Sequence, residues 1–207
     1  MKNYNFYEKL ESMQGTEHIE NFLVYHTALV SAKVKQAVTI NLGKRKIERI
    51  NAWNKCGRKF LKSIDLKCIE LRETENSIIL LVYDEDLLEK EINTRDHIEF
   101  LKSLGYSEEI KINEYVKFLK IRYEKYHCPH ELGVFLGIPI EDVRDFMKCT
   151  DKKCLLCGYW KVYNNKDDAE KIFTKYDKIK DFTMKSMLNG SLSRDLILSI
   201  KNFFHTI

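Results

Sequence analysis

A thiol, an imidazole and a carboxylate lie within four consecutive residues, at Cys128, His130 and Glu131. These are the groups that activate a cysteine nucleophile, and they are also soft and borderline metal ligands. The segment that holds them, residues 127–146, contains both prolines of the chain. In the catalytic interpretation Cys128 is the nucleophile or redox thiol, His130 or His26 is the base, and Glu131 orients the imidazole.

The local sequence predicts two short helices around this cluster. Pro129 suits the first turn of a helix, Gly137 suits its left-handed end, and Pro139 can begin a second helix. Cys128 would then lie just ahead of a positive helix end, where a thiolate is favoured. The alternative is that a cysteine before a proline is simply a small buried apolar residue.

The two helices also have the spacing of a helix-turn-helix pair, which many DNA-binding proteins use. The second helix carries three acidic and two basic side chains: Glu141, Asp142, Asp145, Arg144 and Lys148. A recognition helix that faces phosphates should not be net acidic, so we interpret the pair as architecture.

A basic segment from Lys44 to Lys62 contains eight basic residues and only one acidic residue, Glu48. Its apolar residues recur at helical spacing, which predicts a helix with a cationic outer face. Trp53 and Phe60 interleave with the charges, as aromatic residues do in nucleic-acid-binding grooves. A nucleic-acid-binding regulator that uses this segment and the helix pair is therefore the alternative function. We favour a solvated face and do not expect a nucleic-acid partner.

Three cysteines follow the helix pair, at Cys149, Cys154 and Cys157. A Cys-x-x-Cys-Gly turn resembles half of a zinc knuckle, and Cys149 or a residue of the first cluster could complete four ligands. Zinc or iron, including haem iron, is thus the candidate cofactor, with Cys128 and one histidine as ligands in the binding interpretation. A redox dithiol and plain thiols remain open as alternatives.

Two motifs carry a family resemblance. The runs Cys-Pro-His-Glu-Leu-Gly-Val-Phe-Leu-Gly at 128–137 and Gly-Tyr-Trp-Lys-Val-Tyr at 158–163 resemble the signature of domain-of-unknown-function family 3793 of anaerobic bacteria. The resemblance extends over residues 20–180, which is most of the chain. It implies no particular reaction, because the family has no established activity to carry over.

The chain departs from that family near its amino end. A His-Cys-Ala-Pro run and a later lysine are typical there, and this chain has His26-Thr27-Ala28-Leu29 followed by Lys35. The histidine and lysine are kept and the cysteine and proline are not, which indicates a divergent member. His26 and Lys35 can converge on one site only if the helix breaks between them.

Apolar periodicity predicts the elements that must position these residues. A helical stripe runs from Ile19 through His26 to Val34 and Ala37. Residues 66–72 and 77–83 are predicted to form a hairpin whose second strand is central. Helices are predicted over 86–92, 94–104, 107–126, 169–183 and near the carboxyl end, and a strand at 159–163 is predicted to join the sheet of the hairpin.

Composition sets the class of protein. The 207 residues are 44% apolar with a net charge of +4, and the apolar fraction is typical of a globular protein. We expect a helix-rich single domain over 1–207 with a small, mostly antiparallel sheet. The alternative is a helical part over 1–63 and a mixed part over 64–207.

The sequence also predicts where the protein works. No apolar run approaches the length of a membrane span, and the first residues lack the charged-then-apolar order of a signal peptide. Six irregularly spaced cysteines indicate reduced thiols rather than a disulfide framework. We therefore expect a cytoplasmic protein with no membrane partner.

Overall fold

The computed structural model describes residues 2–43, 47–109, 111–148 and 151–204. The chain begins with α1 (Lys2–Ser12), α2 (Gly15–Ser31), β1 (Ala37–Gly43), α3 (Ile47–Ala52), a π-helical turn (Trp53–Gly57) and α4 (Arg58–Ser63). Next come β2 (Lys67–Glu73), β3 (Ser77–Tyr83), α5 (Glu85–Ile92), α6 (Arg95–Ser103) and α7 (Ile112–Tyr126). The last part contains α8 (Leu132–Phe135), α9 (Ile140–Met147), β4 (Leu156–Cys157), β5 (Lys161–Val162), α10 (Lys166–Leu188) and α11 (Ser193–Phe204).

The main sheet has three antiparallel strands in the order β1-β3-β2. The predicted hairpin and the central position of its second strand are confirmed. The helical stripe predicted through Val34 and Ala37 is wrong, because α2 ends at Ser31 and Ala37 begins β1. Alternate residues of β1, such as Ile40 and Leu42, are buried, and this is the periodicity of a strand with one covered face.

Helices cover both faces of the sheet. Leu80 and Val82 of β3 join a core with α1, α2, α10 and α11, whereas Leu81 and Tyr83 join a second core with α5 to α9. Successive side chains of a strand point to opposite faces, so the fully apolar run of β3 supplies both cores. The predicted helix-rich α+β fold is confirmed. Helices that precede residue 63 in the sequence and helices that follow it pack together in the first core.

A second, two-stranded sheet lies apart from the first. β5 pairs antiparallel with β4, through Leu156 with Val162 and Cys157 with Lys161. The prediction that residues 159–163 extend the hairpin's sheet is therefore wrong. The short β4–β5 hairpin packs instead against α9, through hydrogen bonds described below.

A helix must be long and apolar to cross a membrane, and this requirement applies to the helices of the described ranges. None of them is both long enough and apolar enough to cross a bilayer.

Candidate functional site

Cys128 lies in a tight turn between α7 and α8. The α7 helix ends at Tyr126, and His127 has a positive φ of 62° with ψ −35°. The backbone N–H of Cys128 then donates to the carbonyl of Tyr126 at 2.7 Å. This turn leaves Cys128 exposed to solvent. Its thiol lies beside the buried Tyr123 phenol, whose pKa is raised by burial and then by Cys128.

The helix that follows Cys128 is shorter than predicted. Pro129 to Glu131 form a turn, with the N–H of Leu132 donating to the Pro129 carbonyl at 3.0 Å, and α8 has only four residues. Gly137 ends it with φ 73°. A single turn aligns few peptide dipoles, so the expected stabilisation of a Cys128 thiolate by a helix end is not supported.

Glu131 points into the interior, away from the cluster that the sequence suggested. Its carboxylate is 1% exposed and forms an ion pair with Arg122. Arg122 also donates to the Leu104 carbonyl at 3.2 Å. Burial, and then the Glu131 charge, raise the pKa of the neighbouring Tyr106 phenol. The prediction that Glu131 orients an imidazole is therefore wrong, since its bonds go to the guanidinium of Arg122.

His130 turns the other way and is exposed. Its ring packs edge-to-face on Phe146 of α9, with centroids 5.1 Å apart and planes at 80°. His130 and Cys128 line the same cavity. Cys128 and His130 of the predicted cluster thus line one cavity, and Glu131 is not among its lining residues.

We call this space the motif cavity, because residues of both sequence motifs line it. Its volume is about 280 Å³ and its walls are largely apolar. The lining residues are Cys128, Pro129, His130, Leu132, Gly133, Leu136, Ile138, Asp142, Val143, Phe146, Tyr159, Trp160 and Lys161. A concave apolar surface with a few polar groups at its edge is the usual form of a small-molecule site.

Asp142 fixes the wall of the cavity that the second motif supplies. This buried carboxylate accepts from the Trp160 indole N–H at 2.8 Å and from the backbone N–H groups of Tyr163 and Asn164 at 2.9 Å each. The Asn164 side-chain amide donates to it at 3.0 Å. Asp142 thus ties the β4–β5 hairpin to α9. Sequence reasoning missed this role, and the only signal was an acidic residue on the apolar side of a predicted helix.

The two helices of the site can approach closely because residue 133 is glycine. A Cβ at Gly133 would lie 2.8 Å from Cγ2 of Val143, which is shorter than a van der Waals contact. The close α8–α9 contact therefore requires glycine at this position.

His26 does not line the motif cavity. Its ring packs on Phe22 at 4.3 Å, and burial, with smaller effects of Lys180 and Arg49, lowers the pKa of His26 to about 3. An imidazole with that pKa is a poor base near neutral pH. Of the two predicted bases, only His130 lines the cavity together with Cys128. The helix does end between His26 and Lys35, because α2 stops at Ser31.

Cys154 and Cys157 form a close dithiol on the β4–β5 hairpin. Their sulfur atoms are 3.2 Å apart, and Cys154 also contacts the Leu156 carbonyl at 3.3 Å. This mutual hydrogen bond raises the pKa of the Cys157 thiol. Cys149, the third predicted ligand, lies outside the described residues. Among the residues that are described, no three His, Cys, Asp or Glu side chains are grouped to hold a metal.

In the described part of the basic segment, the aromatic side chains are not exposed to solvent. Trp53 and Phe60 are both buried, so neither can stack on a base. Arg49 is buried too, with Nη2 2.6 Å from the Glu11 carboxylate and 3.4 Å from Nε2 of His18. Lys44, Arg45 and Lys46 lie outside the described residues.

A profile of the family described as "Protein of unknown function (DUF3793)" matches residues 23–197, which is most of the chain. The chain belongs to the DUF3793 family. The resemblance predicted from the two motifs is thereby confirmed, and both walls of the motif cavity lie within the DUF3793 match. No curated protein and no solved structure matches the chain.

The predicted departure from the family pattern lies at Thr27. Thr27 is fully buried in α2, and its hydroxyl donates to the Leu23 carbonyl at 2.8 Å. It does not line the motif cavity. A cysteine at this position would face the first core.

Proposed function

We propose that the protein binds a small, mainly apolar ligand in the motif cavity and presents the Cys128 thiol to it. The observation that carries this proposal is that Cys128 and His130 line one apolar cavity whose far wall is the Tyr159–Lys161 segment. A thiol at the edge of such a cavity can act as a nucleophile, a redox group or a metal-ligating group towards what the cavity holds.

The edge of the cavity supports this proposal. The Phe146 and Tyr159 rings are 42% and 38% exposed, so a ligand would remove apolar surface from water. Lys161 Nζ lies 5.7 Å from the centre of the Phe146 ring, and His130 packs on the same ring. These two groups would interact with the polar end of the ligand. His130 is the base that fits the proposal, because it lines the cavity with Cys128.

A binding experiment with a neutral aromatic probe, N-phenyl-1-naphthylamine, tests the proposal. We expect probe fluorescence to rise on binding, and the alkylation of Cys128 by iodoacetamide to slow as the probe saturates. Cys157 is also exposed but does not line the cavity, so its alkylation rate should not change. Peptide mass spectrometry separates the two thiols.

A variant that fills the cavity provides a second test of the proposal. Leu136→Trp places a large side chain among the lining residues and should abolish both probe binding and protection of Cys128. Leu198→Trp is the matched control, because Leu198 is 58% exposed on α11 and outside the cavity. If the probe protects Cys128 equally in the two variants, it binds elsewhere and the proposal fails.

A further inference from the structure

A second group of polar side chains lies between α2, the connection to β1, and α10. It contains two lysines, Lys35 from the connection and Lys180 from α10. Lys180 Nζ donates to the Tyr25 carbonyl and lies 4.2 Å from the centre of the Tyr25 ring. Lys35 Nζ lies 5.6 Å from the centre of the Tyr176 ring. Both ammonium groups therefore lie over aromatic faces, and both lysines are partly buried.

Aromatic side chains enclose the two lysines. The Tyr159 and Tyr176 rings meet edge-to-face at 4.9 Å, and the Tyr25 ring lies 5.4 Å from the ring of His26. His26 contributes no positive charge near neutral pH, since burial lowers its pKa to about 3. Of the cationic side chains in this enclosure, the two lysines are therefore the ones that carry charge.

Within the described ranges, no carboxylate forms an ion pair with Lys35 or Lys180. Asp177, on the same helix as Lys180, accepts instead from the Tyr159 hydroxyl at 2.8 Å. Burial lowers the pKa of each lysine to about 8, and for Lys180 the charge of Lys35 adds to the effect. Tyr176, which carries Lys35 over its ring, and Lys180 lie four residues apart on α10, so both ammonium groups are on one face of that helix. Partly buried like charges with no ion-pair partner are costly, and an anion bound at this face would offset that cost.

We propose that Lys35 and Lys180 form a binding site for a small dianion of the phosphate class. Two ammonium groups match the charge of a phosphate monoester near neutral pH, and lysine binds such groups as a point charge. The Tyr25 and Tyr176 rings exclude water from one side of each ammonium group. This site does not depend on the proposed function, because neither lysine lines the motif cavity.

A titration of the whole protein with inorganic phosphate at pH 7 tests the site. Sodium chloride keeps the ionic strength constant, and acetate serves as the monoanionic comparison. We expect phosphate to bind more tightly than acetate by calorimetry. Lys35→Gln and Lys180→Gln should each weaken phosphate binding by about tenfold or more, since each removes a charge-assisted contact. Lys178→Gln is the matched control, because Lys178 is exposed on the same helix.

A measurement on the unmodified protein covers the case in which a variant does not fold. Phosphate should slow the acetylation of Lys35 and Lys180 by acetic anhydride, as measured by peptide mass spectrometry, and leave the rate at Lys178 unchanged. Equal effects of phosphate and acetate would overturn the dianion assignment. No protection of either lysine, or phosphate binding weakened equally by Lys178→Gln and Lys180→Gln, would overturn the site.

Discussion

The Trp160 indole N–H donates to the buried Asp142 carboxylate at 2.8 Å, and this bond ties the second sequence motif to α9. The same carboxylate also binds the backbone N–H groups of Tyr163 and Asn164. One side chain on α9 therefore holds the hairpin that forms the far wall of the motif cavity. Whatever the cavity binds, its shape depends on Asp142.

Removing this carboxylate should loosen the hairpin. Asp142→Ala leaves several buried donors without an acceptor, and we expect the free energy of unfolding to fall by about 3 kcal/mol. Urea denaturation measures that loss, and a red shift of tryptophan fluorescence would report the exposure of Trp160. Glu141→Ala, at the exposed neighbouring position, should change the free energy by no more than about 0.5 kcal/mol. Similar losses in both variants would contradict this role.

The Arg122–Glu131 pair is expected to act on stability and not on the thiol. Arg122→Met leaves a buried carboxylate without its partner, which should lower the free energy of unfolding by about 3–5 kcal/mol. Replacing both residues, in Arg122→Met with Glu131→Leu, should restore most of that loss. The rate of Cys128 alkylation should stay the same in the double variant. If the rate of Cys128 alkylation falls severalfold in the folded double variant, Glu131 does contribute to the reactivity of the thiol.

His26 should make the fold sensitive to acid. Its pKa is about 3 in the folded protein and 6.5 in the unfolded chain, so the unfolded state binds more protons between those values. Stability should therefore fall as the pH is lowered through this window, by about 1–2 kcal/mol between pH 7 and pH 5.

The variant His26→Leu removes this proton-binding difference and should flatten the acid limb of the curve of unfolding free energy against pH. His18 also has a pKa lowered by burial, so the test is the difference between the wild type and the variant. Parallel acid limbs in the two proteins would show that His26 titrates normally.

The dithiol on the β4–β5 hairpin should oxidise before the other described cysteines. Cys154 and Cys157 are already in sulfur contact, so a thiolate of one can attack the mixed disulfide formed on the other. With oxidised glutathione as the oxidant, the pair should lose two hydrogens and release two molecules of reduced glutathione. Peptide mass spectrometry should find a Cys154–Cys157 bridge while Cys56 and Cys68 stay reduced or carry only mixed disulfides. A mixed disulfide that persists on Cys157 would show that the two thiols do not pair.

The sequence predicted those elements whose apolar pattern is complete within one segment. The α7 helix, which buries Tyr115, Val116 and Leu119, lies within the helix predicted over 107–126. The β2–β3 hairpin and its central strand were also predicted, because a continuous apolar run after a polar turn indicates a strand covered on both faces. These patterns arise from the local periods of 3.6 and 2 residues and need no distant partner.

Elements that depend on distant partners were not predictable in this way. β1 follows α2 so closely that Val34 and Ala37 fit the helical period as well, and only pairing with β3 makes Ala37 the first residue of a strand. Residues 159–163 look like a strand for either sheet. The hydrogen bonds of Asp142, from a segment about twenty residues earlier, place them beside α9 instead.

The candidate site shows the same division. The spacing of Cys128, His130 and Glu131 predicted a site in this part of the chain, where Cys128 and His130 line one cavity. Which of them face one another was decided by tertiary structure, because neighbouring residues in a helical turn point about 100° apart. Arg122, contributed by another helix, binds Glu131 in the interior, while Phe146 and Trp160 form the cavity that Cys128 and His130 share.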